Sequence, residues 1–210
     1  MSRRLSNIEP FAREFWRWLQ LKLRGEELVS LEDVLIDSTS IEVVLYARVG
    51  ESCVERFPDC NIGWKTVQKR YYFGKRLHLV TAPDGTMLGF RLIKASVHDS
   101  RVYSKLNKKR FKVVTGDSGY RGERGFSGQR LALTKPFATS QRQRKLAGKR
   151  VCIERVNNML KKLGLESRMI LKTSRSLASH ILAVLTCTLA IQYLNLKNRR
   201  SPLAYAAFLL

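Results

Sequence analysis

The sequence predicts a mixed α/β fold in which helices cover a central sheet. Apolar residues alternate in the strand pattern over residues 33–46, and two more apolar runs, 71–81 and 86–93, flank a turn signal. Helical spacing of apolar residues marks both ends of the chain. At 210 residues the chain suits one domain with a small appendage, and it can bury a core without disulfides or structural metals.

The first predicted elements are a helix and a strand. Residues 7–23 predict an amphipathic helix, since Phe11, Phe15, Trp18 and Leu19 recur at helical spacing. Residues 33–46 predict a strand because apolar side chains alternate and Asp37 interrupts them. Residues 47–70, with Gly50, Pro58 and Gly63, predict a loop.

The middle of the chain predicts a hairpin, a helix and two short strands. Ala82-Pro83-Asp84-Gly85 supplies the hairpin turn, and Ser96 could cap a helix that starts near Asp99. Residues 111–116 predict a buried strand that stops at Asp117. Leu131 and Leu133, followed by Pro136, predict another short strand.

The last third predicts a loop and two helices. Residues 137–149 are polar and basic, which predicts a loop. Residues 150–163 predict a helix that Gly164 ends, with Ile153, Val156, Leu160 and Leu163 on one face. Residues 177–194 are apolar enough to resemble a membrane span, but polar residues interrupt them. We interpret them as a buried core helix, with a membrane span as the alternative.

The charge of the chain points to a polyanionic partner. The net charge is +22. Residues 1–100 contain 15 basic and 13 acidic residues, whereas residues 101–210 contain 24 basic and only 4 acidic residues. Such a block attracts phosphates, which favours nucleic acid but does not separate DNA from RNA. A ribosomal-type RNA binder, an anionic membrane surface and simple solubility are the alternatives.

The four cysteines predict reduced thiols. None of the pairs among Cys53, Cys60, Cys152 and Cys187 has the two-residue spacing of a zinc or redox motif. The charged N-terminus has no apolar secretory stretch. A disulfide framework or a zinc site is therefore not expected.

Three acidic residues stand where chemistry would place them. Asp37 and Asp117 interrupt or end apolar strands, and Glu154 lies on a helix in the most basic part of the chain. Carboxylates at strand ends can meet above a sheet, and their repulsion then calls for a cation. Oxygen ligands suit Mg²⁺ or Mn²⁺, and two such ions about 4 Å apart can clamp a phosphodiester.

Each acid also has an ordinary interpretation. Asp37 fits a strand end, Asp117 fits a turn, and Glu154 could pair with Arg150, Arg155 or Asn158 on a solvated helix face. The same helix carries one polar stripe, which suits a metal site beside a phosphate chain as well as it suits solvent. The stripe consists of Arg150, Glu154, Asn157, Asn158 and Lys161.

Four pieces, in order from about Leu35 to about Tyr193, resemble the DDE transposases of bacterial insertion sequences, whose catalytic domain is ribonuclease-H-like. They comprise Leu35-Ile36-Asp37-Ser38-Thr39, then Tyr71 to Leu79 with the Asp84-Gly85 turn and Ala95 to Ser100, then Gly116-Asp117-Ser118-Gly119-Tyr120, and finally Arg150, Glu154 and Lys161. The last spacing is similar to the Tyr-Arg-Glu-Lys signature of that group.

The resemblance implies a ribonuclease-H-like mixed sheet flanked by helices, and two Mg²⁺ (or Mn²⁺) ions bound by Asp37, Asp117 and Glu154. Such enzymes cleave the transposon end, and the freed 3′-OH attacks target DNA. Arg150 and Lys161 would contact DNA phosphates, and we add Arg155 and Asn158 on the same helix. We expect a cytoplasmic homodimer on DNA, with no membrane association.

Departures from the family pattern bear on activity. Ala147 stands where the signature carries Tyr, and no role follows for His78 or His98. We divide the chain into an N-terminal helical segment (1–30), a catalytic domain (31–196) and a tail (197–210). Few residues precede Asp37, so we expect a truncated copy or one product of a split reading frame. An inactive DNA-binding remnant and a ribonuclease-H-like nuclease remain alternatives.

Overall fold

The structure is a computed structural model that describes residues 8–66, 68–106, 111–121, 130–134, 140–165 and 173–205. It contains five α-helices within those residues: α1 (Ile8–Gly25), α2 (Glu51–Arg56), α3 (Ser100–Leu106), α4 (Gln141–Lys162) and α5 (Ser174–Lys197). The strands in the same residues are β1 (Asp33–Val44), β2 (Asn61–Lys65), β3 (Arg70–Thr81), β4 (Met87–Lys94), β5 (Val113–Asp117) and β6 (Arg130–Thr134).

The six strands form one mixed sheet in the order β2-β3-β1-β5-β6. β3 pairs antiparallel with β1, while β1, β5 and β6 run parallel to one another. β3 is long enough to pair with β2 along its first half and with β4 along its second half. This mixed sheet, flanked by helices, confirms the predicted fold class and is consistent with a ribonuclease-H-like fold.

Each face of the sheet is covered by its own hydrophobic core. Successive side chains of a strand point to opposite faces, so β1 contributes to both. Leu35 and Ile41 pack in the larger core with buried residues of α1, α4 and α5. Val34 and Ile36 pack in the smaller core with α3 and Tyr120. The central strand is therefore fixed from both sides.

Helix α5 is long and apolar enough to cross a membrane by length and composition, and 56% of its most apolar window is buried inside the fold. Two of its polar residues, Thr186 and Gln192, are buried and hydrogen-bonded to other parts of the fold. Gln192 accepts a hydrogen bond from the Met87 amide and donates one to the Gly85 carbonyl, both at 2.9 Å. These contacts agree with the prediction of a core helix over 177–194.

The prediction of a loop over 47–70 is wrong in part. This stretch contains α2 and the edge strand β2. Strand β2 exposes Ile62 and Trp64 to solvent and buries Gly63. This is the reverse of the usual pattern, in which the apolar side chains of a strand are the buried ones. The strand depends on its pairing with β3, which local sequence does not report.

Two other local predictions are also wrong. Residues 141–149, predicted as part of a loop, belong to α4, because Gln, Arg, Lys and Ala favour helix even on an exposed face. Residues 137–139 and Pro136 lie outside the described residues. Ser96 does not cap α3, which begins at Ser100. Instead, its hydroxyl and amide bond to the Asn61 side chain at 2.6 and 2.9 Å.

The Glu42 side chain anchors the β2–β3 end of the sheet. It is 8% exposed, accepts two hydrogen bonds from Arg70 at 2.7 and 2.6 Å, and pairs with Lys65 at 3.2 Å. The Arg70 hydrogen bonds, with those of Lys65, lower the pKa of Glu42 from its ordinary value of 4.5. Its stabilising effect is therefore complete above that ordinary value and is lost as pH falls through the lowered one.

We expect Glu42→Gln to lower the free energy of unfolding by about 2 kcal/mol at neutral pH, because the bidentate charged bonds are lost. The deficit should shrink toward zero in acid, where wild-type Glu42 is itself protonated. Urea unfolding of both proteins across this pH range measures it. Glu32→Gln, which alters an exposed pair with Lys112, is the control and should change stability little. A deficit that does not depend on pH would contradict this account.

Candidate active site

Asp37 and Asp117 lie at the same level of the sheet on neighbouring strands. β1 and β5 are parallel with Leu35 opposite Thr115, so two residues further along, Asp37 and Asp117 occupy the same face. β5 ends at Asp117, whereas β1 continues to Val44. The two aspartates therefore stand at the step where the sheet narrows, which is where parallel sheets commonly form binding crevices.

Helix α4 crosses this step and contacts Asp37 with two side chains. Asn157 donates a hydrogen bond to Asp37 Oδ2 at 2.8 Å. Arg150 donates from Nη2 to Asp37 Oδ1 at 3.4 Å. The apolar side of α4, including Ile153 and Val156, packs in the larger core and fixes which side chains point at the aspartate. Asp37 is left 13% exposed.

Arg150 lies between two of the predicted acids. The same Nη2 atom is 3.4 Å from Asp37 Oδ1 and 3.5 Å from Glu154 Oε1. Its Nη1 atom donates to Thr134 Oγ1 at 3.0 Å, and Thr134 in turn donates to the Gly116 carbonyl at 3.3 Å. Arg150 therefore acts as an internal counter-ion at this site. The side chain of Glu154 is 51% exposed.

The charges of Asp117 and Glu154 both act on Asp37. Burial raises the pKa of Asp37 to about 6; the Arg150 charge opposes this rise, and the charges of Asp117 and Glu154 add to it. A carboxyl that responds to both other acids lies in their common field. A pKa displaced this far by burial and like charges is typical of functional sites.

Asp117 faces a cleft of about 440 Å³ that includes residues from both sides of the sheet. The Gly119 amide donates to Asp117 Oδ1 at 2.9 Å and fixes its side chain in the turn after β5. Lys161, one helix turn beyond Asn157 and Asn158, lines the same cleft. The cleft lining also includes Ser38, Arg76 and Asp99.

The donor chemistry of the site fits a hard divalent cation. Asp37, Asp117 and Glu154 offer only oxygen ligands, and the Oδ1 atom of the buried Asn157 has no hydrogen-bond partner in the described part of the chain. In those residues no group of three Asp, Glu, His or Cys side chains is close enough to bind an ion together as they stand. The Arg150–Glu154 ion pair accounts for the position of the third acid.

The residues predicted to contact DNA are distributed along α4. Arg150 lies inside the site, Lys161 lines the cleft, and Arg155 and Asn158 are exposed on the helix surface. The structure thus brings Arg150 and Lys161 to the acids and leaves Arg155 and Asn158 facing solvent. Their contacts with DNA remain predictions.

Sequence reasoning did not assign a role to several polar residues of the site. Asn157 was part of the polar stripe, yet it is buried against Asp37. Asp99 was interpreted as a helix start, yet it is buried beside the cleft. His78 is fully buried and bonds to Tyr120 at 2.9 Å, whereas His98 is exposed and bonds to Ser100. The one sequence signal for the burial of His78 is its position within the apolar run 71–81.

Comparison with protein families assigns most of the chain to a known domain. The family model for the transposase DDE domain matches residues 31–168, about two thirds of the chain. The matched range begins just before β1 and includes Asp37, Asp117 and Glu154. Searches of curated proteins and of solved structures gave no significant match.

The convergence of the three acids can be measured directly. We expect Asp117→Asn to lower the pKa of Asp37, Glu154→Gln to lower it less, and Arg150→Gln to raise it, following the order in which these charges act. Side-chain carboxyl NMR titration measures the Asp37 pKa in each variant. The exposed Asp33→Asn substitution is the control and should leave it in place. An unchanged Asp37 pKa in Asp117→Asn would show that the acids do not share a site.

Proposed function

Since the chain belongs to the transposase DDE domain family, we propose that it is the catalytic domain of a bacterial insertion-sequence transposase. It would cleave strands at the ends of its element and join the freed 3′-OH to target DNA. The observation that carries this proposal is that Asp37 and Asp117 follow paired residues of neighbouring parallel strands, while Arg150 on α4 links Asp37 to Glu154.

In this proposal Asp37, Asp117 and Glu154 hold two Mg²⁺ or Mn²⁺ ions. Bound there, such ions would activate the attacking oxygen and stabilise the leaving one. The chain supplies the arrangement of the ligands. Gly119 orients Asp117, Asn157 orients Asp37, and α4 carries Glu154 on an exposed side chain that would have to leave Arg150 to join the other two acids on a cation.

Arg150 has two successive roles in the proposed mechanism. Without a cation it offsets the repulsion between Asp37 and Glu154, which it contacts at 3.4 and 3.5 Å. Once these acids bind a cation, the guanidinium would be available to a DNA phosphate, for which its planar donor geometry is suited. Lys161, Arg155 and Asn158 would continue this phosphate-binding surface along α4.

The partners follow from the same proposal. DNA, as transposon ends and as target, is the partner that the basic second half of the chain would bind, and a homodimer would pair two ends. The reaction would take place in the cytoplasm. Two alternatives are outcomes of the test below: a ribonuclease-H-like nuclease that cuts without joining, and an inactive DNA-binding remnant.

Asp37→Asn, Asp117→Asn and Glu154→Gln should each reduce Mg²⁺-dependent cleavage by a hundredfold or more, on the order of the several kcal/mol that a metal clamp contributes. DNA binding should persist in all three. The substrate is DNA that carries the element's own ends, incubated with Mg²⁺ or with EDTA. Asp33→Asn, at an exposed acid at the start of β1, is the matched control and should cleave normally.

The products of that assay discriminate between the candidate functions. Joining of 3′ ends to a target plasmid supports the transposase, and cleavage without joining supports the nuclease. Binding without Mg²⁺-dependent cleavage in the wild type supports the inactive remnant. Normal cleavage by any one of the three variants would remove that residue from the site.

Binding should weaken steeply with salt because phosphate neutralisation releases counterions. Lys161→Gln and Arg155→Gln should each reduce the slope of log affinity against log salt by about 1. Fluorescence anisotropy with labelled duplex over a salt series measures this slope. Lys112→Gln, just before β5 and at the opposite end of that strand from Asp117, is the control. A flat wild-type profile would argue against phosphate recognition.

A further inference from the structure

A fourth acid reaches the site from the opposite face of the sheet. Asp99 precedes α3 by one residue and is 8% exposed. It lines the same cleft as Asp117 and Lys161. The sequence motif Ser96-Val97-His98-Asp99 has no other role in the proposed function, so the contacts of this carboxylate require their own explanation.

Asp99 connects the start of α3 to both central strands. Its Oδ2 atom accepts a hydrogen bond from Ser38 Oγ at 3.1 Å, and Ser38 is the residue after Asp37 on β1. Its Oδ1 atom accepts one from Arg76 Nη1 at 2.7 Å, on β3. Both carboxylate oxygens are thus engaged, and one of the two bonds fixes the residue adjacent to Asp37.

Asp99 also contacts the turn that orients Asp117. A Cβ atom placed on Gly119 would lie 3.2 Å from Asp99 Oδ2 and 3.0 Å from Asp117 Oδ1. The two carboxylates therefore flank Gly119, whose amide bonds to Asp117. Asp99 thus bonds to the β1 segment that carries Asp37 and lies beside the turn that fixes Asp117.

The layer beneath Asp99 is neutral. His78 and Tyr120 are fully buried and bond to each other at 2.9 Å. Burial lowers the pKa of His78 to about 4, so the ring is uncharged at neutral pH, and its Nε2 atom is 3.8 Å from Asp99 Oδ1, too far for a hydrogen bond. Arg76, 21% exposed, is therefore the cation that balances Asp99.

A largely buried ion pair adds little net stability over apolar residues of the same volume, because desolvation offsets the attraction. The pair does fix the orientation of both side chains, because they are joined by a charged hydrogen bond of 2.7 Å. Asp99 bonds to Ser38 and lies beside Gly119, so the fixed orientation of its carboxylate also restricts the positions of the β1 segment and of the turn after β5.

We propose that Asp99, fixed by Arg76, is a positioning residue that sets the separation of Asp37 and Asp117. Asp99 is not one of the three proposed ligands. It acts through Ser38 on one side and through Gly119 on the other. This inference rests on the proposed function, because the separation matters for the cation that the two aspartates bind.

The test separates positioning from simple stabilisation. The purified full chain is compared with Asp99→Asn, with Arg76→Met/Asp99→Leu, which replaces the whole pair by apolar side chains, and with the control Asp33→Asn, whose carboxylate is 45% exposed and pairs with the similarly exposed Lys149. Three quantities are measured: the thermal midpoint without divalent metal, the Mg²⁺ concentration that gives half of the maximal rise in that midpoint, and the rate of end cleavage.

We expect Asp99→Asn to lower the thermal midpoint, because Arg76 loses its counter-ion, and the double variant to regain most of it. Both should nevertheless need about ten to a hundred times more Mg²⁺ for half-maximal stabilisation, as is typical when a residue that orients metal ligands is removed. Cleavage at low Mg²⁺ should fall with it and recover partly at high Mg²⁺. Asp33→Asn should match the wild type.

A double variant with wild-type stability and wild-type Mg²⁺ dependence would overturn this inference while leaving the proposed function intact. A wild-type chain that Mg²⁺ neither stabilises nor activates would overturn the proposed function, and this inference with it. If the double variant does not fold, Ser38→Ala decides. It removes only the hydroxyl that Asp99 binds, and we expect a severalfold higher Mg²⁺ requirement at near-normal stability; an unchanged requirement would overturn the inference.

Discussion

The candidate site depends on interactions that offset the repulsion among Asp37, Asp117 and Glu154 near the end of β5. Burial raises the pKa of Asp37 to about 6, and the charges of Asp117 and Glu154 add to that rise. Unopposed, this repulsion would favour an open or protonated site. Helix α4 offsets this repulsion with the positive charge of Arg150 and with a hydrogen bond from Asn157 to Asp37. The site therefore also depends on the packing of α4 against the larger core.

Strand β1 bonds to polar side chains on both faces of the sheet. On one face Asp37 bonds to α4, and on the other Ser38 bonds to Asp99 before α3. Because adjacent residues of a strand point in opposite directions, one short segment joins both layers. In this otherwise apolar strand, Asp37 therefore belongs to the candidate site on one face, and Ser38 binds Asp99 on the other face.

The fold class could be inferred from local patterns, because apolar alternation and turn signals report burial directly; the same patterns predict the three acids as a site. β2 could not, since this edge strand exposes Trp64 and exists through its pairing with β3. The first turns of α4 were missed because their composition is typical of a loop as well as of an exposed helix. Asp99 and Asn157 were missed because nothing in their neighbourhood in sequence indicates that they are buried.

The sequence alone determined which residue types are present, in which order, and the family to which the chain belongs, because these depend on composition, spacing and motif. Only the tertiary structure decided that Arg150 lies between Asp37 and Glu154, that Asn157 is buried while Asn158 is exposed, and that Asp99 reaches Ser38. The physical reason is that side-chain contacts over 60 or more residues depend on how the layers pack, and packing is not a local property of the chain.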